Sequence, residues 1–431
     1  MFWSKDLECM AREDMKSLQL ERLKKTVKKV YENVPFYKDR LSSIGFDPNH
    51  IKTLDDLKNI PFTVKDDLRD NYPYNMFAVP IKEIVRLHAS SGTTGKPTVV
   101  GYTKKDLRIW SELVARVVVE AGATEDDIAQ ISFGYGLFTG AFGLHYGLEK
   151  IGATVVPIST GNTERQIMLM RDFGSTILVS TPSYAMYMAE VSEKLGFDPN
   201  ESNLRIGLFG SEASTDEMLQ ELEKKWGILA TENYGLSELM GPGISGNCHI
   251  KSGMHIAEDH FIPEIIDPDT GEVLPPGEQG ELVLTTITRE GLPILRYRTR
   301  DITSLNYEPC KCGRTLVRMD KVQGRTDDML IIKGVNVFPS QIEGVLMNID
   351  DVAPHYEIVV KRERYLDTLE INIEVSNAEL LESFSHLESL KEKISSQLKI
   401  ALQIDAKVNL VEPQTLKRFE GKAQRVVDLR S

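Results

Sequence analysis

Cysteine is scarce in this chain. There are four in 431 residues, too few for a disulfide framework. Positive charge is not in excess either: 64 acids against 51 bases give a formal net charge of −13, which disfavours general nucleic-acid binding. No apolar run reaches the roughly 20 residues that span a bilayer. The opening MFWSKDLECM lacks the apolar stretch of a signal peptide. Repeats and low-complexity tracts are missing. These absences predict a cytoplasmic globular protein without a membrane or nucleic-acid partner, and its length suffices for two or three domains.

A Walker A loop is also missing. The nearest stretch is SSGTTGKP, Ser90 to Pro97, in which Ser90 stands where the first glycine belongs and Pro97 where a magnesium-binding hydroxyl belongs. That argues against a P-loop kinase or ATPase. The stretch still suits an anion. Gly92 and Gly95 let backbone N–H groups turn inward, Ser90, Ser91, Thr93 and Thr94 add hydroxyls, and Lys96 adds charge. Taken alone, the same composition also makes an ordinary surface turn.

Periodicity gives the architecture. A helix is predicted from about Asp6 to Tyr31, and short apolar strands at 84–88 and 98–102 flank SSGTTGKP. A helix over 104–121 follows, and then apolar runs at 128–133, 153–157, 175–180 and 204–209 alternate with helical segments. Such alternation predicts an α/β fold of layered, largely parallel sheets. From Phe261 the pattern becomes β-rich, with the turns DPDTGE and PPGEQGE and the strand ELVLTT. The last part carries two alternating strands, YEIVVKRE and DTLEINIEV, and a helix from about Leu380 to Leu402. The expected organisation is a large N-terminal domain with a β-rich subdomain over 1–326, followed by a small, mobile α+β domain over 327–431.

Three further stretches carry chemistry. YGLSE, Tyr234 to Glu238, places an aromatic, a hydroxyl and a carboxylate within five residues, suited to a base, a phosphate oxygen and Mg²⁺. Its plain alternative is a strand-to-helix turn capped by Ser237. YRTRD ends on Asp301, which can accept two ribose hydroxyls or simply pair with Arg298 or Arg300. FEGKAQR puts Lys422 in a short glycine loop, where an isolated lysine is most often a solvated side chain.

In their order and wide spacing, SSGTTGKP, YGLSE, YRTRD, GRTDDMLIIKGVNVFPSQIE and EGKAQR together resemble the adenylate-forming superfamily of acyl-CoA synthetases. SFGYGLFTGAFGLHYG, LFGSEAST, EDHFIPEIIDPDTGE and the N-terminal YENVPFYKDRL and PFTVKDDLRDNYP are similar to its phenylacetate–CoA ligase subgroup, so the resemblance runs over essentially the whole chain. It implies an enzyme that uses ATP with Mg²⁺ to make an acyl-adenylate of an aryl acetic acid and then passes the acyl group to CoA. Its partners would be small molecules, and a homodimer is implied by the resemblance alone.

The resemblance also implies roles. Ser90 to Lys96 would hold the departing pyrophosphate. Tyr234 with Gly235 would face adenine, and Ser211, Glu212 and Ala213 would line the adenine and acyl side. Ser237 would lie near the α-phosphate, Glu238 would bind Mg²⁺, and Asp301 with Arg325 would hold the ribose. Lys422 would be the lysine of adenylation. Asp327 would be the hinge that exchanges it for Gly334, Val335 and Asn336 on the CoA side. Tyr135, Phe138, Ala213, Gly235 and Pro242 are the candidates for a ring-sized acyl pocket. Loading of a carrier-protein thiol shares all these motifs. A non-catalytic nucleotide-binding protein would have no use for Lys422.

One cluster stands apart. Cys310 and Cys312 in EPCKCGRT, with Cys248 and His255 in NCHIKSGMH, supply four ligands for a closed structural zinc site. His255 is preferred to His249, because His249 adjoins Cys248 and neighbours rarely converge on one ion. The alternative is three reduced thiols that never meet.

Overall fold

The computed structural model describes residues 1–90, 97–332, 335–363, 366–378, 380 and 384–430. Most of SSGTTGKP, residues 91–96, lies outside them, as does Gly334.

A nine-stranded sheet organises the large part of the molecule. Its order is Leu305–Asn306, Arg318–Met319, Met254–Ile256, Gly241–Asn247, Leu229–Leu236, Ile206–Phe209, Ile177–Ser180, Ile128–Ile131 and Thr154–Val156. From Leu229–Leu236 to Thr154–Val156 the neighbours are parallel. On the other side of Leu229–Leu236 every pairing is antiparallel. The sheet is therefore mixed, not largely parallel. Strands Ile177–Ser180 and Ile206–Phe209 are buried throughout, as expected of a parallel sheet covered on both faces. The antiparallel half begins with GPGISGN, Gly241 to Asn247, which is wholly buried although it carries little apolar bulk. A Cβ at Gly246 would lie 2.6 Å from the Val117 side chain, so the helix Lys104–Glu120 packs directly on that strand's backbone.

Helix Lys104–Glu120 starts with a capping box: Asp106 N–H donates to Thr103 Oγ1 (3.1 Å) and Thr103 N–H to Asp106 Oδ2 (3.0 Å). The N-terminal helix is split into Lys5–Glu8 and Arg12–Asn33. A four-stranded antiparallel sheet, Phe261–Ile266, Gly280–Thr286, Tyr297–Thr303 and Gly324–Arg325, forms the β-rich part. The hairpin Ile84–Ala89 and Val99–Thr103 flanks the glycine loop. No helix among the described residues is long and apolar enough to cross a membrane.

The C-terminal part has its own apolar cluster, running from Leu330 to Val408. Its sheet order is Lys407–Val411, Leu366–Val375, Val352–Glu363 and Val426–Asp428. The helix predicted from Leu380 is described from Phe384 to Leu402.

Candidate active site

At strand Leu229–Leu236 the large sheet changes from parallel to antiparallel pairing. In open α/β sheets, ligands gather outside the carboxyl ends of the parallel strands. The loops that leave those ends here begin at Thr181, Gly210 and Ser237, and they carry or approach most of the residues singled out above.

Tyr234 and Asp301 meet. Tyr234 Oη donates to Asp301 Oδ2 (2.5 Å), and Arg325 Nη1 donates to Asp301 Oδ1 (3.0 Å) from the adjacent strand. Asp301 does not pair with Arg298 or Arg300. The strand alternates, so the two arginines face Glu281 on the other side, at 2.6 and 3.6 Å. Asp301 is 4% exposed, and burial raises its pKa more than Arg325 and Tyr234 lower it. Burial, with Asp301 next in effect, likewise pushes the Tyr234 hydroxyl well up, so this phenol stays a donor. Arg325 also forks onto Asp327, Nε to Oδ1 at 2.9 Å and Nη2 to Oδ2 at 3.0 Å. One guanidinium thus ties the ribose candidate to the hinge candidate.

No helix follows YGLSE. The chain reverses instead, with Leu239 and Met240 N–H groups donating to Leu236 O, and pairs back so that Gly235 opposes Pro242. A Cβ at Gly235 would sit 2.0 Å from Gly241 O, so no side chain fits there. Ser237 Oγ lies 2.8 Å from Thr139 Oγ1. Glu238 is 6% exposed and has Lys65 Nζ 3.8 Å from its Oε1. Neither Thr139 nor Lys65 stood out in the sequence. Ser90, at the edge of the glycine loop, donates its N–H to Thr98 O (3.0 Å), while Ser91, Gly92, Thr93, Thr94, Gly95 and Lys96 lie outside the described residues.

The acyl candidates divide. Tyr135 Oη is 3.0 Å from His145 Nδ1, and its ring packs edge-on against Phe142 (5.2 Å). Phe138 is 43% exposed, and Ala213 is exposed. Pro242 is buried and accepts from Trp110 Nε1 (2.9 Å). Ser211 is exposed and holds a left-handed φ of 72°.

The Lys422 loop is seated at the same end of the sheet. Thr181 Oγ1 donates to Gly421 O (3.1 Å), and Ala423 N–H donates to Glu212 Oε2 (2.9 Å). Glu212 uses its other oxygen to accept from Ser183 N–H (2.7 Å). Its carboxylate is thus fully engaged by backbone groups. Lys422 itself is exposed. Val335 and Asn336 lie on the short strand Val335–Val337 of the C-terminal part.

Away from this crevice, Cys248, His255, Cys310 and Cys312 come together, their ligand atoms all within 4.8 Å of one another. Cys248 Sγ is 3.9 Å from Cys310 Sγ, and Cys312 Sγ is 3.5 Å from His255 Nε2. A tetrahedron with zinc–sulfur bonds of about 2.3 Å has edges of about 3.8 Å, so the separations suit that ion. His255 Nδ1 is buried without a partner among the described residues, and His249 is exposed. Burial pushes the Cys248 thiol up to about 12 and, together with Arg314 and Arg318, holds His255 down at about 3. Arg314 is fully buried, and its Nη1 lies 3.6 Å from Cys312 Sγ. Arg314 also pairs with Glu8 (2.7 Å) and Glu120 (3.2 Å), so its charge is balanced by carboxylates beside the four ligands.

Comparison with known proteins adds the lineage. The AMP-binding enzyme pattern matches residues 20–288, and the AMP-binding enzyme C-terminal domain pattern matches 334–430. The chain belongs to the AMP-binding enzyme family. Phenylacetate–coenzyme A ligase of Thermus thermophilus is 50% identical over 444 residues, covering 100% of both chains. The protein of the same name from Escherichia coli is 45% identical, covering 99% of this chain and 97% of its own. The chain groups with these as an AMP-forming acid–CoA ligase. Among solved structures, 2-hydroxyisobutyryl-CoA ligase in its postadenylation state superposes with a TM-score of 0.94 at 27% identity, covering 100% of this chain and 92% of its own. The same ligase in its thioesterification state gives 0.74 at 28% identity with the same coverage. The fold subtends both states, and the present arrangement lies nearer the first.

Proposed function

We propose that this enzyme converts phenylacetate, ATP and CoA into phenylacetyl-CoA, AMP and pyrophosphate. The observation that carries the reading is the meeting of two elements at one end of the sheet: Asp301 fixed by Tyr234 and Arg325, and the Lys422 loop fixed by Thr181 and Glu212. The full-length kinship to phenylacetate–CoA ligases supplies the acid.

In the first half-reaction a carboxylate oxygen of the acid attacks the α-phosphorus. The bond to the bridging β-phosphate oxygen breaks, and pyrophosphate leaves. Negative charge grows on both sides of the transferring phosphorus, which is where fixed donors accelerate most. Lys422 provides the charge between carboxylate and α-phosphate, since a compact ammonium on a long stem reaches both. Ser237 donates to the α-phosphate, and the loop Ser90 to Lys96 receives the pyrophosphate. Tyr234 lies along adenine with Ser211, Ala213 and Glu212 around it, and Asp301 accepts from the ribose hydroxyls. Glu238 would hold Mg²⁺, which neutralises phosphate charge when bound. The phenyl ring takes the space among Tyr135, Phe138, Ala213, Gly235 and Pro242.

In the second half-reaction the CoA thiolate attacks the acyl carbon, the bond to the AMP oxygen breaks, and AMP leaves. The reading divides the chain into a domain over 1–326 and a C-terminal domain over 327–431 that turns about Asp327. The turn withdraws Lys422 and brings Gly334, Val335 and Asn336 to the thiol. The Cys248, His255, Cys310 and Cys312 group holds a structural zinc ion.

CoA-dependent AMP release across phenylacetate, its ring-hydroxylated forms, indoleacetate, benzoate and a short fatty acid tests the reading. Preference for phenylacetate is expected. AMP release without acyl-CoA would point to another thiol acceptor, and preference for benzoate or the fatty acid would overturn the assignment of the acid.

A further inference from the structure

Arg425 lies three residues beyond Lys422 and joins both parts of the molecule. Its Nη1 donates to Tyr356 Oη (2.7 Å) and forms an ion pair with Glu343; the guanidinium carbon lies 4.4 Å from the centre of the Tyr356 ring. Those partners belong to the C-terminal part. Its Nη2 donates to Ser183 Oγ (3.0 Å), at the start of helix Pro182–Lys194 in the large part. Glu343 Oε1 in turn accepts from Thr215 N–H (3.3 Å). The side chain of Arg425 is 15% exposed and that of Glu343 6%.

Two features of this clasp bear on the reaction. First, it brackets the loop. Gly421 and Ala423 are held by Thr181 and Glu212, and Arg425 anchors the next turn, so the backbone of Lys422 is fixed on both sides. Second, each charged group retains a partner within its own part. Arg425 keeps Glu343, and Glu212 keeps Ser183 N–H. Parting the two halves at the clasp breaks hydrogen bonds to Ser183, Thr215, Thr181 and Glu212 but leaves Arg425, Glu343 and Glu212 each with a partner. A stranded charge is what makes the breaking of a buried pair costly. The ion pairs of Glu190 with His355 and Arg418 also cross between the parts and are separate from the clasp. A contact built this way holds firmly and also releases.

We propose that Arg425 is a positioning residue for adenylation, one that seats the Lys422 loop through the clasp to Ser183 and leaves thioester formation untouched. This rests on the two-step reading above. The arrangement described is the one nearer the postadenylation state of 2-hydroxyisobutyryl-CoA ligase, as the clasp requires.

The test is made on the full chain with Arg425→Ala, Arg425→Lys and Ser183→Ala. Ser183→Ala removes only a contact across the two parts, so it serves even where Arg425→Ala fails to fold. Two rates are followed: phenylacetate-dependent ATP–pyrophosphate exchange, and phenylacetyl-CoA formation from preformed phenylacetyl-adenylate. Misplacing the lysine by about 1 Å is expected to slow exchange by about tenfold to a hundredfold in Arg425→Ala. Ser183→Ala should show a smaller loss and Arg425→Lys partial rescue. KM for ATP should change little, and the thioester rate should stay within about twofold. A merely structural role would lower both rates together. Equal loss in both half-reactions, or unchanged exchange in Arg425→Ala and Ser183→Ala, overturns the clasp. Absence of exchange in the wild-type enzyme overturns the two-step reading, and the clasp with it.

Discussion

Asp301 and Lys422 are held in opposite ways. Asp301 is 4% exposed, sits on a strand within a four-stranded sheet, and is fixed by a phenol and a guanidinium aimed at both of its oxygens. Lys422 is exposed on a loop, and its neighbours touch the large part, through the Gly421 carbonyl, the Ala423 N–H and the Glu420 and Arg425 side chains. The difference matches the role proposed for each residue. The ribose of the nucleotide is present in both half-reactions, so its acceptor belongs in the framework. Charge between carboxylate and α-phosphate is needed in one half-reaction only, so its source can sit on a part that leaves.

The comparison can be broken or sharpened by substitution. Lys422→Ala should give the largest effect, a fall of about 10²- to 10³-fold in ATP–pyrophosphate exchange, as for removal of one fixed transition-state donor. Asp301→Ala comes next and should not discriminate: a lost charge-assisted hydrogen bond is worth about 1.5–3 kcal/mol, so both half-reactions should weaken by roughly tenfold to a hundredfold in apparent nucleotide affinity. If Asp301→Ala slowed adenylation alone, the contrast between fixed and detachable residues would be wrong.

Cys310→Ser probes a region that the proposed mechanism does not use. The wild-type chain is expected to carry one zinc per molecule by elemental analysis, and the variant to carry none and to melt roughly 5 °C or more lower. Exchange at 25 °C should remain within a few-fold. Metal-free wild-type protein would refute the zinc assignment.

The smallest effect expected concerns the C-terminal part alone. Glu374 accepts from Gln414 N–H (3.0 Å), Leu416 N–H (2.7 Å) and both terminal nitrogens of Arg418 (2.8 Å each). Burial raises its pKa, but Arg418 and the two N–H groups outweigh it, and the carboxyl is held below the ordinary 4.5. A depressed folded-state pKa gives stability that is present above 4.5 and is lost as the pH falls below it. Glu374→Gln should cost about 1–3 kcal/mol at pH 7 and should flatten the acid limb. Hydrogen exchange at the Gln414 and Leu416 amides reads this out; unchanged protection would contradict it.

Much of the large sheet was legible because parallel strands buried on both faces show as continuous apolar runs, as ILVS at Ile177–Ser180 does. Its antiparallel half was not, because GPGISGN is buried by backbone contact with a helix and carries no alternating apolar pattern. Asp301 and Tyr234 each stood out in a short motif, yet their hydrogen bond crosses 67 positions and no local pattern announces it. The clasp was hidden for the same reason: Arg425 and Ser183 are 242 positions apart. The one local signal was the Thr-Pro pair at 181–182, which marks a helix start and so places Thr181 and Ser183 at a strand's carboxyl end. The cysteine pair was visible as C-x-C, and His255 was preferred because His249 adjoins Cys248; the pairing of Gly241–Asn247 with Met254–Ile256 is what brings His255 to the cysteines.

The most direct measurement is phenylacetyl-CoA formation by Lys422→Ala supplied with preformed phenylacetyl-adenylate and CoA. A lysine that has left the site by the second step predicts a rate close to that of the wild type, in the variant whose pyrophosphate exchange has collapsed. Equal loss of both half-reactions would contradict the account.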